Sequence, residues 1–252
     1  MVNLVLTISA ILVSIFILIA TVIIYWWVQK DILTGGRAIN DYLTSKCLDD
    51  RPVFDAAEFP ISAVLEANYQ AILAEFEAYR KARPVPAFNN ISKEASLDTV
   101  GWKSLFLRMF NQDTVLMGQF PITKSIIEQI PCATAYFSLL EPGTNIMAHR
   151  GIYKGVLRCH LGLIVPPTDC YLLVDGQRLE WQVGKTTWFD DIYEHEVHNN
   201  SAQERLVLFL DVERDFKSPW LNWINKMLLK MVTCNDVLLS AVRNANRKAL
   251  EI

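Results

Sequence analysis

The chain of 252 residues carries 24 basic and 27 acidic side chains, a net charge of -3, and is 52% hydrophobic. That apolar share supports a sizeable core and excludes a disordered chain, and the near balance of charge argues against nucleic acid as a partner. Cys47, Cys132, Cys159, Cys170 and Cys234 are odd in number and form no close pair, which argues against a disulfide framework or zinc ribbon and fits reduced thiols in the cytosol.

Residues 1–29 contain no charged side chain, and 4–28 are nearly all Leu, Ile, Val, Ala and aromatic. At about 1.5 Å per residue this run crosses a hydrocarbon core of about 30 Å, with Tyr25, Trp26 and Trp27 as an interfacial belt. A cleaved signal peptide needs a basic start, a shorter apolar run and small residues at the cut, none of which is present. The expectation is one N-terminal transmembrane helix over 1–29. Lys30 and Arg37 follow the span and no Lys or Arg precedes it, which places the bulk of the chain in the cytoplasm.

Residues 30–60, with Gly35-Gly36 and Pro52, read as a juxtamembrane linker with a short helix near 37–44. From 61 to 81 the positions Val64, Leu65, Tyr69, Ile72, Leu73 and Phe76 recur at helical spacing until Pro84 and Pro86 stop the pattern. A second helix is expected over 123–130. From Ala133 the texture turns to short β-type runs at 135–140, 156–165, 171–174, 178–182, 186–189 and 205–212, separated by Pro142-Gly143, Pro166-Pro167, Asp175-Gly176, Gly184 and Asn199-Asn200. Many short strands imply a sandwich, jelly roll or barrel. The tail from Trp220 returns to helical spacing, fit either to pack on the barrel or to lie on a membrane.

All four histidines, His149, His160, His195 and His198, fall within this strand-rich region. A single strand histidine is usually a hydrogen-bonded core residue, so the cluster carries the argument, and imidazole suits iron, zinc and copper. His195-Glu196-Val197-His198 lacks the spacing and the helix of a zinc-protease motif. His149 and His195 instead suit the two histidines of a facial triad in a non-haem iron oxygenase, except that Gly151 stands where the carboxylate would be.

Gly101-Trp102-Lys103, Tyr136-Phe137-Ser138, Glu141-Pro142-Gly143-Thr144, His149, Leu157-Arg158-Cys159-His160-Leu161-Gly162-Leu163, Phe189-Asp190-Asp191, His195-Glu196-Val197 and Arg205-Leu206-Val207 occur in order. From about 101 to 215 the chain resembles the aspartyl/asparaginyl β-hydroxylase family of Fe(II)- and 2-oxoglutarate-dependent dioxygenases. The resemblance implies a mainly β, cupin-like double-stranded β-helix over 61–215 with flanking helices, and a helical tail over 216–252. It implies iron on His149 and His195 with water in place of the carboxylate, 2-oxoglutarate on Ser138, Arg158, His160 and Arg205, Trp102 lining the pocket, and dioxygen as co-substrate. Arg158 and His160 share one strand face, where Gly162 is expected to leave room for a ligand, and arginine forks suit carboxylates. Asp190 and Asp191 are expected to orient the loop or a histidine, and His198 to be structural.

The implied reaction is hydroxylation of an unactivated C–H bond. An anchor followed by this domain, together with the stretch 149–158 and Asp211-Val212-Glu213-Arg214, resembles the bacterial lipid A 2-hydroxylases of the same family, so a lipid acyl chain is the first expectation. Gly151 resembles the peptide-hydroxylase branch, which makes peptidyl Asp or Asn the alternative. A non-enzymatic binding module is the third and weakest reading, since the four polar positions are intact.

Overall fold

The computed structural model describes Ile15 and residues 40–88, 101–151, 153–232 and 236–251. The expected span at 4–28 and the orientation argued from Lys30 and Arg37 therefore fall outside the described residues. Among the described residues no helix is long and apolar enough to cross a membrane.

Two antiparallel sheets make the body. The larger contains β1 (Val53–Phe54), β2 (Trp102–Met109), β3 (Gln112–Asp113), β4 (Cys132–Leu140), β6 (Val156–Ile164), β9 (Thr186–Phe189) and β11 (Arg205–Glu213), in the order β1-β9-β6-β11-β4-β2-β3. The smaller contains β5 (Asn145–His149), β7 (Cys170–Val174), β8 (Gln177–Leu179) and β10 (His195–Asn199), in the order β5-β10-β7-β8. The chain is thus mainly β, built of facing antiparallel sheets as expected for a double-stranded β-helix.

Strand periodicity explains where the site lies. On β11, Leu206, Leu208 and Leu210 join one core with Leu65, Ile72 and Phe76 of α1 (Pro60–Ala67) and α2 (Tyr69–Ala82), while Val207 and Phe209 join a second core with Ile146, Leu172 and Val197 of the smaller sheet. The large sheet is therefore buried on both faces, which is why β4 and β11 read as nearly continuous apolar runs. Polar residues at inward positions, Ser138, His160 and Arg205, are buried between the sheets and stand out against that background.

The single helix expected over 61–81 is two. Asn68 breaks it at φ -109 and ψ 5, with its Nδ2 donating to the Val64 carbonyl at 2.8 Å, the local bonding that makes Asn a poor interior helix residue. α3 (Pro121–Ile127) starts against α2, whose Glu75 carboxylate accepts from the Ile122 and Thr123 amides at 2.7 and 2.9 Å, satisfying orphan donors at a helix start.

In the segment read as linker, residues 40–46 are helical and β1 extends the large sheet, Val53 pairing with Phe189 and Phe54 with Trp188. The tail forms α4 (Pro219–Val232) and α5 (Asp236–Glu251). Leu221 and Leu229 of α4 and Val242, Ala245 and Ala249 of α5 are buried in cores of the body, so the tail packs on it. At the hairpin between β7 and β8, Asp175 and Gly176 both take positive φ, 50 and 74, as the tight turn requires.

Candidate functional site

β5 and β10 set His149 directly opposite His195, with ring centroids 4.1 Å apart. Neither strand was expected from sequence, because each is short and mixes polar with apolar residues. The His149 Nδ1 lies 2.8 Å from the Met147 carbonyl oxygen, and the His195 Nδ1 3.0 Å from that of Tyr193. A carbonyl only accepts, so each Nδ1 carries the proton and each Nε2 keeps its lone pair. Burial, with Arg158 and His149 nearby, pushes His195 down to about 3, and burial also lowers His149. Both imidazoles are neutral at physiological pH. Among the described residues no group of three or more His, Cys, Asp or Glu could hold a metal ion, so the donor set is a pair of neutral imidazoles, which fits a metal that takes its remaining ligands from small molecules.

Every residue expected from the resemblance to hold iron or 2-oxoglutarate or to line their site, Trp102, Ser138, His149, Arg158, His160, His195 and Arg205, lines one pocket, together with Tyr136, Phe189 and Phe209. Beyond the histidine pair its end is rich in donors. Arg205 is 1% exposed, its Nε has no partner, and its Nη1 makes only a long 3.4 Å bond to the Ser138 carbonyl. No carboxylate pairs with it among the described residues; its guanidinium lies 4.8 Å from the Trp181 ring centre, and burial lowers its pKa to about 10. His160 Nδ1 accepts from Trp181 Nε1 at 3.2 Å, which leaves its Nε2 as an N–H with no partner. Burial, then Arg205, holds this imidazole well below its ordinary range. Ser138 Oγ accepts from Trp102 Nε1 at 3.0 Å, freeing its own hydrogen to donate. Sequence reading missed Trp181, the partner of both Arg205 and His160, because a lone Trp near a turn carries no signal.

Arg158 is placed differently from Arg205. Its Nη2 contacts Asp191 Oδ2 at 2.7 Å, its Nε contacts Asp211 Oδ1 at 3.2 Å, and its Nη1 reaches His195 Nε2 at 3.3 Å. Burial alone would lower its pKa, but Asp191 and Asp211 outweigh that and hold it above the usual value. Its charge is balanced within the protein.

Two glycines are explained by close approach. A Cβ at Gly151 would fall 2.0 Å from Asp191 Oδ2, so the Asp191 carboxylate fills the space beside the position where a carboxylate ligand was sought. Burial raises Asp191 to about 6, and its Oδ1 has no partner. Gly162 does not leave room for a ligand, as its alternation with His160 suggested. A Cβ there would lie 2.2 Å from the Gln182 carbonyl oxygen, so the gap admits backbone. His198 points away from the pocket and stacks on Tyr171 at 4.8 Å.

Behind the histidines lies a buried ionic cluster. Asp190 Oδ2 binds Lys154 Nζ at 2.6 Å and also the Arg214 guanidinium, and Lys154 in turn contacts Asp50. It ties the loop after His149 to the loop before His195. A surface depression of about 520 Å³ beside α1 and β9 is larger than the pocket, but it holds no histidine, and its Glu66 is already bound by Lys185 and Thr186 at 2.8 and 3.0 Å.

The profile of the Aspartyl/Asparaginyl beta-hydroxylase family matches residues 66–215. The chain belongs to the aspartyl/asparaginyl beta-hydroxylase family. An ornithine lipid ester-linked acyl 2-hydroxylase from Rhizobium tropici is 44% identical over 186 residues, covering 70% of this chain and 66% of that protein. The human aspartyl/asparaginyl beta-hydroxylase is 34% identical over 98 residues, 36% of this chain and 13% of that one. This family member therefore spans just under two thirds of the first relative and a small part of the second. A Pseudomonas putida prolyl-4-hydroxylase superposes with a TM-score of 0.41 at 17% identity, over 69% of this chain and 99% of that one.

Proposed function

We propose that this family member is a membrane-anchored Fe(II)- and 2-oxoglutarate-dependent hydroxylase whose substrate is the acyl chain of a membrane lipid. The observation that carries the reading is the pocket itself: two neutral imidazoles, with the Nε2 of His195 also reached by Arg158 at 3.3 Å, beside a buried guanidinium that lacks a counter-ion among the described residues. His149 and His195 hold the iron. Arg205, His160 Nε2–H and the Ser138 hydroxyl receive a carboxylate of 2-oxoglutarate, whose charge would balance Arg205. Iron with 2-oxoglutarate and dioxygen supplies the oxidising power for C–H hydroxylation, the oxo acid leaving as succinate and carbon dioxide.

The residues of the chain orient and shield. Met147 and Tyr193 carbonyls hold the imidazole protons on Nδ1, Trp102 sets the Ser138 hydroxyl, and Tyr136, Phe189 and Phe209 exclude water. Arg158 and Asp191 stand against His195 as a balanced pair.

The apolar run at 4–28 as an anchor, and the Rhizobium lipid hydroxylase as a relative, support a lipid substrate, with an ornithine-lipid acyl chain ahead of lipid A. Gly151 supports the second reading, peptidyl Asp or Asn. The test is succinate release by the full-length protein in nanodiscs with Fe(II), 2-oxoglutarate and dioxygen. Stimulation is expected with ornithine lipid; stimulation only by Asp-containing peptides would reject the lipid assignment, and no turnover under any condition would reject the enzyme.

A further inference from the structure

Helix α4 is apolar on two faces. Its inner face is occupied: Leu221 packs with Leu43 and Phe216, and Leu229 with Ala133 and Val156. Its outer face carries Trp220 and Trp223, 61% and 52% exposed, with rings stacked 5.1 Å apart, followed one turn on by exposed Met227. Lys226 and Lys230, both exposed, flank this stripe. Positions 220, 223 and 227 fall on one side of a helix at 3.6 residues per turn, so the stripe is continuous.

Two contacts on its buried side place the helix relative to the apolar run and the pocket. The helical segment 40–46, which follows the apolar run, packs through buried Leu43 on Phe216 and Leu221, so the chain leaving that run arrives at α4. Only residues 29–39 separate the run from that segment, a reach of at most about 40 Å when fully extended. On the other side, Asn225 of α4 accepts from the Tyr153 hydroxyl at 2.6 Å and donates to the Gly155 carbonyl at 2.8 Å, in the loop that follows His149. The segment 40–46 that follows the apolar run and the loop after His149 thus both adjoin the helix that carries the Trp stripe.

We propose that the outer face of α4, with Trp220, Trp223 and Met227 flanked by Lys226 and Lys230, docks on the bilayer that residues 4–28 enter. The inference rests on the membrane-anchored reading above. Tryptophan favours the headgroup boundary, where its ring is apolar and its N–H stays wet, and the lysines match anionic headgroups. Docking there sets the height of the His149 loop, and so of the pocket, against the lipid.

The test uses the full-length protein in nanodiscs of phosphatidylcholine and phosphatidylglycerol whose acyl chains carry bromine near the headgroup. Subtracting the emission of a Trp220→Phe/Trp223→Phe variant from that of the parent isolates the pair. Bromine is expected to quench that difference emission severalfold while aqueous iodide leaves it unchanged. Quenching by iodide alone would overturn the proposal by placing the face in water. Quenching by neither, with cross-linked dimers, would overturn it by showing a second copy on the face. Because this readout needs no turnover, quenching by bromine without succinate release on any lipid would retain the docking face and reject only the substrate.

Discussion

Replacing Arg205 by Met should stabilise the protein free of 2-oxoglutarate while removing its ability to bind that molecule. The guanidinium is fully buried, has no carboxylate partner among the described residues, and its pKa falls from the usual 12.5 to about 10 because burial penalises the charge. At about 1.4 kcal/mol per pH unit that depression corresponds to a destabilisation of about 3 kcal/mol at neutral pH. Methionine keeps most of the volume and removes the charge, and buried charges replaced by well-packed apolar groups are often neutral or stabilising. Against the gain stands the loss of the contact with Trp181 and of the weak bond to the Ser138 carbonyl, together about 1–2 kcal/mol. The net expectation is a gain of about 1–2 kcal/mol, or a rise in Tm of about 2–8 °C for a domain of this size. Thermal unfolding with and without 2-oxoglutarate checks both halves: the parent rises in Tm on adding the ligand and Arg205→Met does not. A variant that melts lower than the parent and still gains stability from 2-oxoglutarate would refute the reading of Arg205 as an uncompensated anion receptor.

The Asp190 cluster predicts the opposite behaviour. Asp190→Asn leaves Lys154 and Arg214 buried with only the partly exposed Asp50 between them, and should cost about 3–5 kcal/mol in urea unfolding; a loss below 1 kcal/mol would show the cluster to be solvated. Mild acid should destabilise the metal-free protein. His149, His160 and His195 have folded pKa values below the unfolded value of 6.5, so stability is complete above that pH and falls as the unfolded chain takes up protons the folded one refuses. Asp191, raised by burial to about 6, and Asp211, also raised, act in the opposite sense, because the folded state binds those protons more readily. The net loss between pH 7 and pH 5.5 is roughly 1–3 kcal/mol, measurable by denaturant titration across that range; stability constant or rising over it would contradict the burial of the three imidazoles.

Much of the fold was legible because the long strands, buried on both faces, read as apolar β-type runs bounded by turn residues. β9 spans the run expected at 186–189, and β4, β6, β7 and β11 differ from expectation by only a few residues at their ends. β5 and β10 escaped because their partners, not their own composition, make them strands: Asn145, His149, His195 and His198 have weak strand preference, yet they complete a ladder with β7. Those are also the strands that bring the histidines together. Asn68 broke the expected long helix for a local reason, visible only once the Val64 carbonyl was seen to bind its side chain.

By itself the sequence determined the strand-rich class and the apolar run at 4–28, and its resemblance to a known family implied the membership and the set of residues that converge on the pocket. The first two are properties of composition and the last two of motifs in order along the chain, which survive without coordinates. Only the tertiary structure decided that Arg158 is neutralised by Asp191 and Asp211 whereas Arg205 is not, that Gln182 fills the gap at Gly162, and that the Asp191 carboxylate lies in the space beside Gly151. Two arginines are alike as letters, and their charges differ in effect because burial and counter-ions come from strands far apart in the chain.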